Sequence, residues 1–139
     1  MKAVIDTNVY LDAILNREPF VQDSRRVIAA SELEFFDGYC CATTLTDIYY
    51  IVQKAADEMV ARQSITDIVR TCSIASVSRT TISTALISKI NDFEDGMLCE
   101  AAIQVNATCI ITRNVPDFAQ SPILAITPTD FLALLEKGK

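Results

Sequence analysis

Apolar residues along the chain form short continuous runs and longer segments in which they recur at helical spacing. The continuous runs predict buried strands at 3–5, 38–42, 74–77, 109–112 and 123–126. Apolar residues three or four positions apart predict helices at 9–15, 21–33, 45–52, 57–72, 80–90, 92–106 and from 128 onward. Buried strands that alternate with helices indicate a parallel sheet covered on both faces. We therefore predict an α/β fold, a three-layer α/β/α sandwich with a central five-stranded parallel sheet.

The length of the chain and of its apolar runs limits how it can be organised. A chain of 139 residues is long enough for one sizeable core and too short for two ordinary domains, so we expect a single domain over 1–139. No apolar run approaches the roughly 20 residues of a membrane-spanning helix, and no signal-peptide pattern opens the sequence. We expect a cytoplasmic protein that does not contact a membrane.

The composition narrows the chemistry that the chain can perform. Histidine is absent, which excludes Ser-His and Cys-His catalysis, and three glycines are too few for a phosphate-binding loop. The five cysteines lack zinc-site spacing and are expected to be reduced core residues. Polar chemistry must therefore depend mainly on carboxylates, which suit Mg²⁺ or Mn²⁺. The net charge of −6 argues against a protein that binds nucleic acid through its overall charge. It does not argue against a metal-dependent enzyme that acts on nucleic acid.

Four acidic residues occur at or just after strand ends, or at the start of a helix: Asp6, Asp47, Asp95 and Asp117. Right-handed crossovers place every strand-to-helix turn at one edge of a parallel sheet, so we expect the four to lie together. A role in helix capping does not explain Asp6, because Asn8 could cap the helix that follows. Carboxylates in close proximity raise one another's pKa, and such a cluster is rarely tolerated without a cation. The pattern favours a metal site.

Three of these acids also have a purely structural interpretation. Asp47 follows Thr44 by three positions, which resembles a capping box with Asp in place of Glu. Asp95 lies in the first turn of a helix that Asp92 can cap, where the helix dipole favours a negative charge. Asp117 follows a proline and is a good turn residue. Taken singly, each of these acids fits a local role as well as a catalytic one.

Four short motifs surround the acids in a fixed order along the chain. They are Val4-Ile5-Asp6-Thr7-Asn8, Thr44-x-x-Asp47, Asp92-Phe93-Glu94-Asp95 and Ile111-Thr112-Arg113-Asn114-x-x-Asp117-Phe118. In this order and spacing they resemble the signature of the PIN domain family, whose members are metal-dependent ribonucleases and include the VapC-type toxins. The resemblance covers nearly the whole chain, from the first motif to Thr127-Pro128 before the last helix.

The resemblance implies the strand order 3-2-1-4-5 and assigns roles to individual residues. The implied catalytic acids are Asp6, Asp47, Asp95 and Asp117. The implied ligands of Mg²⁺ or Mn²⁺ are Asp6, Asp95 and Asp117. The implied supporting polar residues are Asn8, Thr112 and Asn114. Arg113, beside the pocket, is the best candidate for contact with the RNA backbone.

The resemblance also implies an activity and partners. The expected reaction is hydrolysis of an RNA phosphodiester bond, leaving a 5′-phosphate and a 3′-hydroxyl. Many single-domain bacterial relatives are toxins, so an antitoxin protein is an expected partner beside the RNA substrate. The stretches 49–51 and 80–90 have more apolar residues than one core face requires, which favours a two-fold homodimer.

Two departures from the family pattern keep a second interpretation open. Asp47 is one methylene shorter than the Glu that the family usually has there, and Asn114 stands where many relatives carry Asp. Together with the low positive charge, these departures suit a catalytically inactive PIN-fold module that binds protein or RNA. Stabilisation by Mn²⁺ separates the two interpretations, because an inactive module should show none.

Overall fold

The five predicted strands form one sheet in the computed structural model, which describes residues 1–138. The strands are β1 (Lys2–Ile5), β2 (Asp37–Cys41), β3 (Ser73–Ala75), β4 (Cys109–Ile111) and β5 (Leu124–Ile126). Their order is β3-β2-β1-β4-β5 and every neighbouring pair is parallel. Ile5, the last residue of β1, pairs with Cys40 on one side and Ile111 on the other. The predicted sheet and its order are confirmed.

Helices connect consecutive strands, as the apolar spacing predicts. They are α1 (Thr7–Ile14), α2 (Val21–Glu32), α3 (Ala42–Ala55), α4 (Glu58–Thr71), α5 (Arg79–Leu86), α6 (Phe93–Gln104) and α7 (Pro128–Lys137). A short 3₁₀ turn at Val115–Phe118 follows β4. No helix within residues 1–138 is long and apolar enough to cross a membrane.

Two hydrophobic cores lie on opposite faces of the sheet, because alternate side chains of a strand point in opposite directions. Ile5 and Ile111 are fully buried in the core that α1, α2, α3, α4 and α7 share. Val4 and Ile110 are fully buried in the second core, against α6. Burying each such side chain contributes about 1.5–3 kcal/mol. The two cores produce the predicted three layers.

The starts of two helices differ from the prediction. Asp6, not Asn8, is the N-cap of α1, and its Oδ1 accepts a hydrogen bond from Thr7 N at 2.8 Å. Cys41 is the N-cap of α3 without a side-chain bond, so the predicted capping by Thr44 is wrong. The Thr44 hydroxyl is buried and accepts a 3.2 Å hydrogen bond from the Thr7 hydroxyl instead. A contact between α1 and α3 therefore replaces the local cap.

The region between β3 and α6 is less helical than predicted. Helix α5 ends at Leu86 rather than at 90, because Ser88 Oγ accepts the Ile90 N–H at 3.1 Å and offers the backbone a local alternative to a helical bond. Asp92 caps α6 as predicted, and its Oδ1 accepts the Asp95 N–H at 2.9 Å. The expected buried, unbridged cysteines are confirmed for Cys40, Cys41, Cys72, Cys99 and Cys109.

Candidate active site

The carboxyl edge of the sheet carries Asp6, which is 7% exposed although it bears a carboxylate. Its Oδ2 accepts a 2.8 Å hydrogen bond from the Thr112 hydroxyl and a 3.2 Å bond from Asn8 Nδ2. Burial raises the pKa of Asp6 above its ordinary value, and the charge of Asp117 raises it further. The hydrogen bonds from Thr112, Thr7 and Asn8 act in the opposite direction, because they stabilise the charged form. Asp6 is thus a fixed, partly desolvated carboxylate.

Thr112 links the turn after β4 to Asp6. It is fully buried directly after β4, and its hydroxyl oxygen accepts the Asn114 N–H at 3.0 Å while donating to Asp6. Asn8 lies 3.5 Å from the same hydroxyl through Nδ2. Of the predicted supporting residues, Asn8 and Thr112 touch Asp6 directly. Asn114 contributes its backbone N–H to Thr112, and its side chain is exposed.

Asp95 and Asp117 approach Asp6 from two other segments, the first turn of α6 and the 3₁₀ turn. Burial raises the pKa of Asp95 to about 7, and the charges of Asp6, Asp92 and Asp117 add to that shift. Asp92 caps the helix that contains Asp95, whereas Asp6 and Asp117 act on Asp95 because the fold brings their segments to the same edge. A cleft of about 520 Å³ opens here, lined by Asp95 and Asp117 and also by Lys89.

Asp47 lies beside a different partner, Glu94. The pKa of Glu94 is raised to about 7. The largest cause is a hydrogen bond to Asp47, and burial and the charge of Asp47 raise the pKa further. Such a bond requires one of the two groups to carry a proton. The sequence prediction treated Glu94 only as a first-turn residue. Its place in the Asp92-Phe93-Glu94-Asp95 motif was the signal that could have identified it.

Arg113 forms an ion pair with Asp12, a residue that the sequence analysis did not assign to the site. Its Nε and Nη2 donate to the two oxygens of Asp12 at 2.9 and 3.2 Å, and the Asp12 side chain is 1% exposed. The Arg113 guanidinium also lies 4.5 Å from the centre of the Phe20 ring. Its backbone N–H donates to Asn8 Oδ1 at 3.2 Å. Arg113 is therefore held at both ends, beside the acids and not among them.

The chemistry of these donors can be compared with the needs of a metal ion. Asp6, Asp95 and Asp117 supply only oxygen atoms, which fits a hard divalent cation. Burial and, after it, repulsion by neighbouring carboxylates raise the pKa of Asp95, and a bound cation would relieve that repulsion. No three His, Cys, Asp or Glu side chains among residues 1–138 are arranged to hold a metal ion together. Joint coordination therefore requires the more exposed Asp95 and Asp117 side chains to turn toward Asp6.

Solved structures that resemble this chain include proteins of toxin–antitoxin systems. A VapBC2 complex from Rickettsia felis, bound to promoter DNA, superposes with a TM-score of 0.71 at 17% identity, covering 91% of this chain and 98% of that one. A toxin–antitoxin complex from Klebsiella pneumoniae gives 0.69 at 20% identity over 91% and 97% of the two chains. VapC20 from Mycobacterium tuberculosis, a sarcin-ricin loop cleaving toxin, gives 0.64 at 10% identity over 78% and 86%. At these identities the likeness concerns the fold.

Family membership follows from the sequence itself. No curated protein matches the chain. A family model described as PIN domain matches residues 2–116, a span that includes the first three acidic motifs and Thr112 to Asn114. The observed strand order agrees with the order that the motif resemblance implied. The chain belongs to the PIN domain family.

Proposed function

We propose that the protein is a metal-dependent endoribonuclease and the toxin of a toxin–antitoxin pair. The observation that supports this proposal is that Asp6, Asp95 and Asp117 lie on segments at the carboxyl edge of a PIN fold, close enough for their charges to act on one another. Each comes from a different segment, and the charges of Asp6 and Asp117 add to the burial that raises the pKa of Asp95. Clusters of strongly perturbed acids in a cleft are characteristic of functional sites.

In this proposal Asp6, Asp95 and Asp117 hold Mg²⁺ or Mn²⁺. When bound there, the ion supplies a lowered pKa for a coordinated water and compensates the charge on the scissile phosphate. Thr7, Asn8 and Thr112 fix the Asp6 carboxylate through hydrogen bonds of 2.8, 3.2 and 2.8 Å. The chain thus orients one ligand rigidly and leaves the other two on the rim of the cleft.

Further residues have roles around this centre. The pKa of Glu94, raised to about 7 beside Asp47, makes this pair of carboxyl groups a candidate proton donor or acceptor. Lys89 lines the cleft with Asp95 and Asp117 and can contact an RNA phosphate. Hydrolysis of the phosphodiester bond leaves a 5′-phosphate and a 3′-hydroxyl.

The partners in this proposal are RNA, an antitoxin protein and a second copy of the chain. The structures from Rickettsia felis and Klebsiella pneumoniae are toxin–antitoxin complexes, which supports an antitoxin partner. Large apolar side chains stay exposed on α3 and at the end of α5, with Tyr50 67%, Leu86 69% and Ile87 85% accessible. Exposed apolar side chains of this kind favour a protein interface.

A second candidate function is an inactive PIN-fold module that binds protein or RNA. One observation favours it, which is that no three acidic side chains in residues 1–138 already form a metal-holding group. The net charge of −6 also offers little general attraction to RNA. The two candidates differ in their response to metal.

Thermal unfolding with EDTA and with Mn²⁺, together with cleavage of a structured RNA, tests the proposal. Mn²⁺ at a hundredfold excess over its Kd should stabilise the wild type by about 2.7 kcal/mol and switch on cleavage. Asp6→Asn should abolish most of both effects. Asp37→Asn, which removes one exposed carboxylate at the start of β2, should keep both. Equal Mn²⁺ shifts in wild type and Asp6→Asn would refute the metal site.

A further inference from the structure

A pocket of about 370 Å³ lies next to the acidic edge, between the start of α2 and the start of α7. Its size is within the range of about 300–1,000 Å³ that is usual for small-ligand sites. Pro19, Phe20 and Pro128 contribute apolar walls, and Arg113 closes the side toward Asp6. Apart from Arg113, which the sequence analysis assigned to contact with the RNA backbone, no residue that lines this pocket has a role in the proposed function.

Arg113 gives the pocket a rigid wall. The buried Asp12 carboxylate holds its guanidinium through two hydrogen bonds of 2.9 and 3.2 Å, and Arg17 lies 3.8 Å from the same carboxylate. The guanidinium lies over the Phe20 ring at 4.5 Å, and the Phe20 side chain is 38% exposed. A fixed guanidinium beside a partly exposed aromatic ring is the kind of surface on which unstacked RNA bases lie.

The charges in the pocket wall are compensated by ion pairs. Asp12 pairs with Arg113 and lies 3.8 Å from Arg17, and Asp23 lies 3.4 Å from Arg26. Because Asp12 already pairs with the one guanidinium among the described lining residues, the wall suits a neutral ring with hydrogen-bonding edges better than a phosphate. Ser24 lines the same pocket, and its buried hydroxyl has no hydrogen-bond partner among the described residues.

The pocket is also connected to the proposed site of cleavage. The backbone N–H of Arg113 donates to Asn8 Oδ1 at 3.2 Å, and Asn8 Nδ2 donates to Asp6 Oδ2 at 3.2 Å. Asn8 therefore links the backbone of Arg113, whose guanidinium lines the pocket, to the fixed acid. We propose that this pocket binds one unstacked base of the RNA substrate, close to the scissile phosphate. The inference depends on the proposed nuclease function for the identity of its ligand.

The protein has no tryptophan, so Phe20→Trp places a single fluorescent indole in the pocket. In an Asp6→Asn background that prevents cleavage, the probe is titrated with three-nucleotide RNAs and with an abasic trinucleotide of the same charge. Base-containing RNA should quench the fluorescence, and the abasic one should not. Phe20→Ala should weaken binding of the base-containing RNA by at least about fivefold, as loss of one stacking contact predicts. Leu33, at the far end of α2, provides matched controls. The fluorescence of Leu33→Trp should not respond to base-containing RNA, and Leu33→Ala should bind that RNA as tightly as the protein without this change.

Equal binding of the abasic and base-containing RNAs would overturn the pocket, because the backbone alone would then explain affinity. The pocket would also be overturned if the wild type cleaved RNA and the Phe20→Trp probe showed no response to RNA. That result would leave the nuclease proposal intact. Base-dependent quenching by a protein that shows no cleavage with Mn²⁺ would support the pocket and refute the nuclease. Circular dichroism of Phe20→Ala and Phe20→Trp establishes that both variants are folded.

Discussion

Thr112 donates its hydroxyl hydrogen to Asp6 Oδ2 over 2.8 Å, although the two residues are 106 positions apart. Both side chains are buried at the ends of adjacent strands, β4 and β1. The bond can therefore form only when the ends of these two strands lie side by side at the carboxyl edge of the sheet. It fixes the orientation of the acid that the proposed metal site depends on most.

Replacing Thr112 by Val removes this hydroxyl with little change of shape. Because a hydrogen bond to a charged group contributes about 1.5–3 kcal/mol, we expect Thr112→Val to lower the free energy of unfolding by about that amount. Urea denaturation at neutral pH measures the change. Thr66→Val, which removes an exposed hydroxyl bonded to Arg62 O in α4, should cost far less. Equal losses in the two variants would contradict the special role of the Thr112 bond.

The raised pKa of Asp95, about 7 against an ordinary 3.8, predicts how stability depends on pH. Between these values the folded state binds the proton more tightly than the unfolded chain, so the free energy of unfolding falls as pH rises from about 4 to about 7. Glu94, with a pKa of about 7, acts in the same direction. Thermal melts in EDTA should show Asp95→Asn flattening this decline. Asp37→Asn should leave the slope unchanged, and an unaltered slope in Asp95→Asn would contradict the assignment.

Replacing only one residue of the Asp12–Arg113 ion pair is expected to lower the free energy of unfolding. Arg113→Gln leaves the buried Asp12 carboxylate with only the longer 3.8 Å contact to Arg17, so it should destabilise the protein, by at most about 3–5 kcal/mol. The double variant Asp12→Asn with Arg113→Gln should lose less than the sum of the two single variants. Urea unfolding of the four proteins measures the coupling. Additive losses would mean that the 2.9 and 3.2 Å bonds contribute no coupling energy.

The proposed homodimer predicts that a charge at the end of α5 blocks association. Ile87 is 85% exposed and Leu86 is 69% exposed, so Ile87→Glu should leave the fold intact while it disrupts an apolar interface. Light scattering at tens of micromolar should give a dimer for the wild type and a monomer for Ile87→Glu. Met59→Glu, a change at an 80% exposed position at the start of α4, is the control for an apolar residue elsewhere. A monomeric wild type would refute the dimer.

The sequence alone determined the architecture and the position of the acids along the chain. Continuous apolar runs alternating with helices indicate a parallel sheet, and the structure has that sheet in the order that the motif resemblance implied. Because parallel strands end at one edge, residues next to strand ends, such as Asp6 and Thr112, could be assigned to the same edge without coordinates. The helix starting after Asp92 was also predictable, since its cap is a local interaction.

Only the tertiary structure decided which side chains meet. Arg113 pairs with Asp12 across 101 positions, and Thr44 bonds to Thr7 rather than capping its own helix. Asp47 faces Glu94, a residue that its local sequence presents only as favourable for the first turn of a helix. Such pairings depend on how helices rotate and pack against the sheet, and apolar periodicity fixes only the buried face of each helix. The polar contacts at the carboxyl edge follow from that packing, which is why the sequence predicted the edge but not its hydrogen bonds.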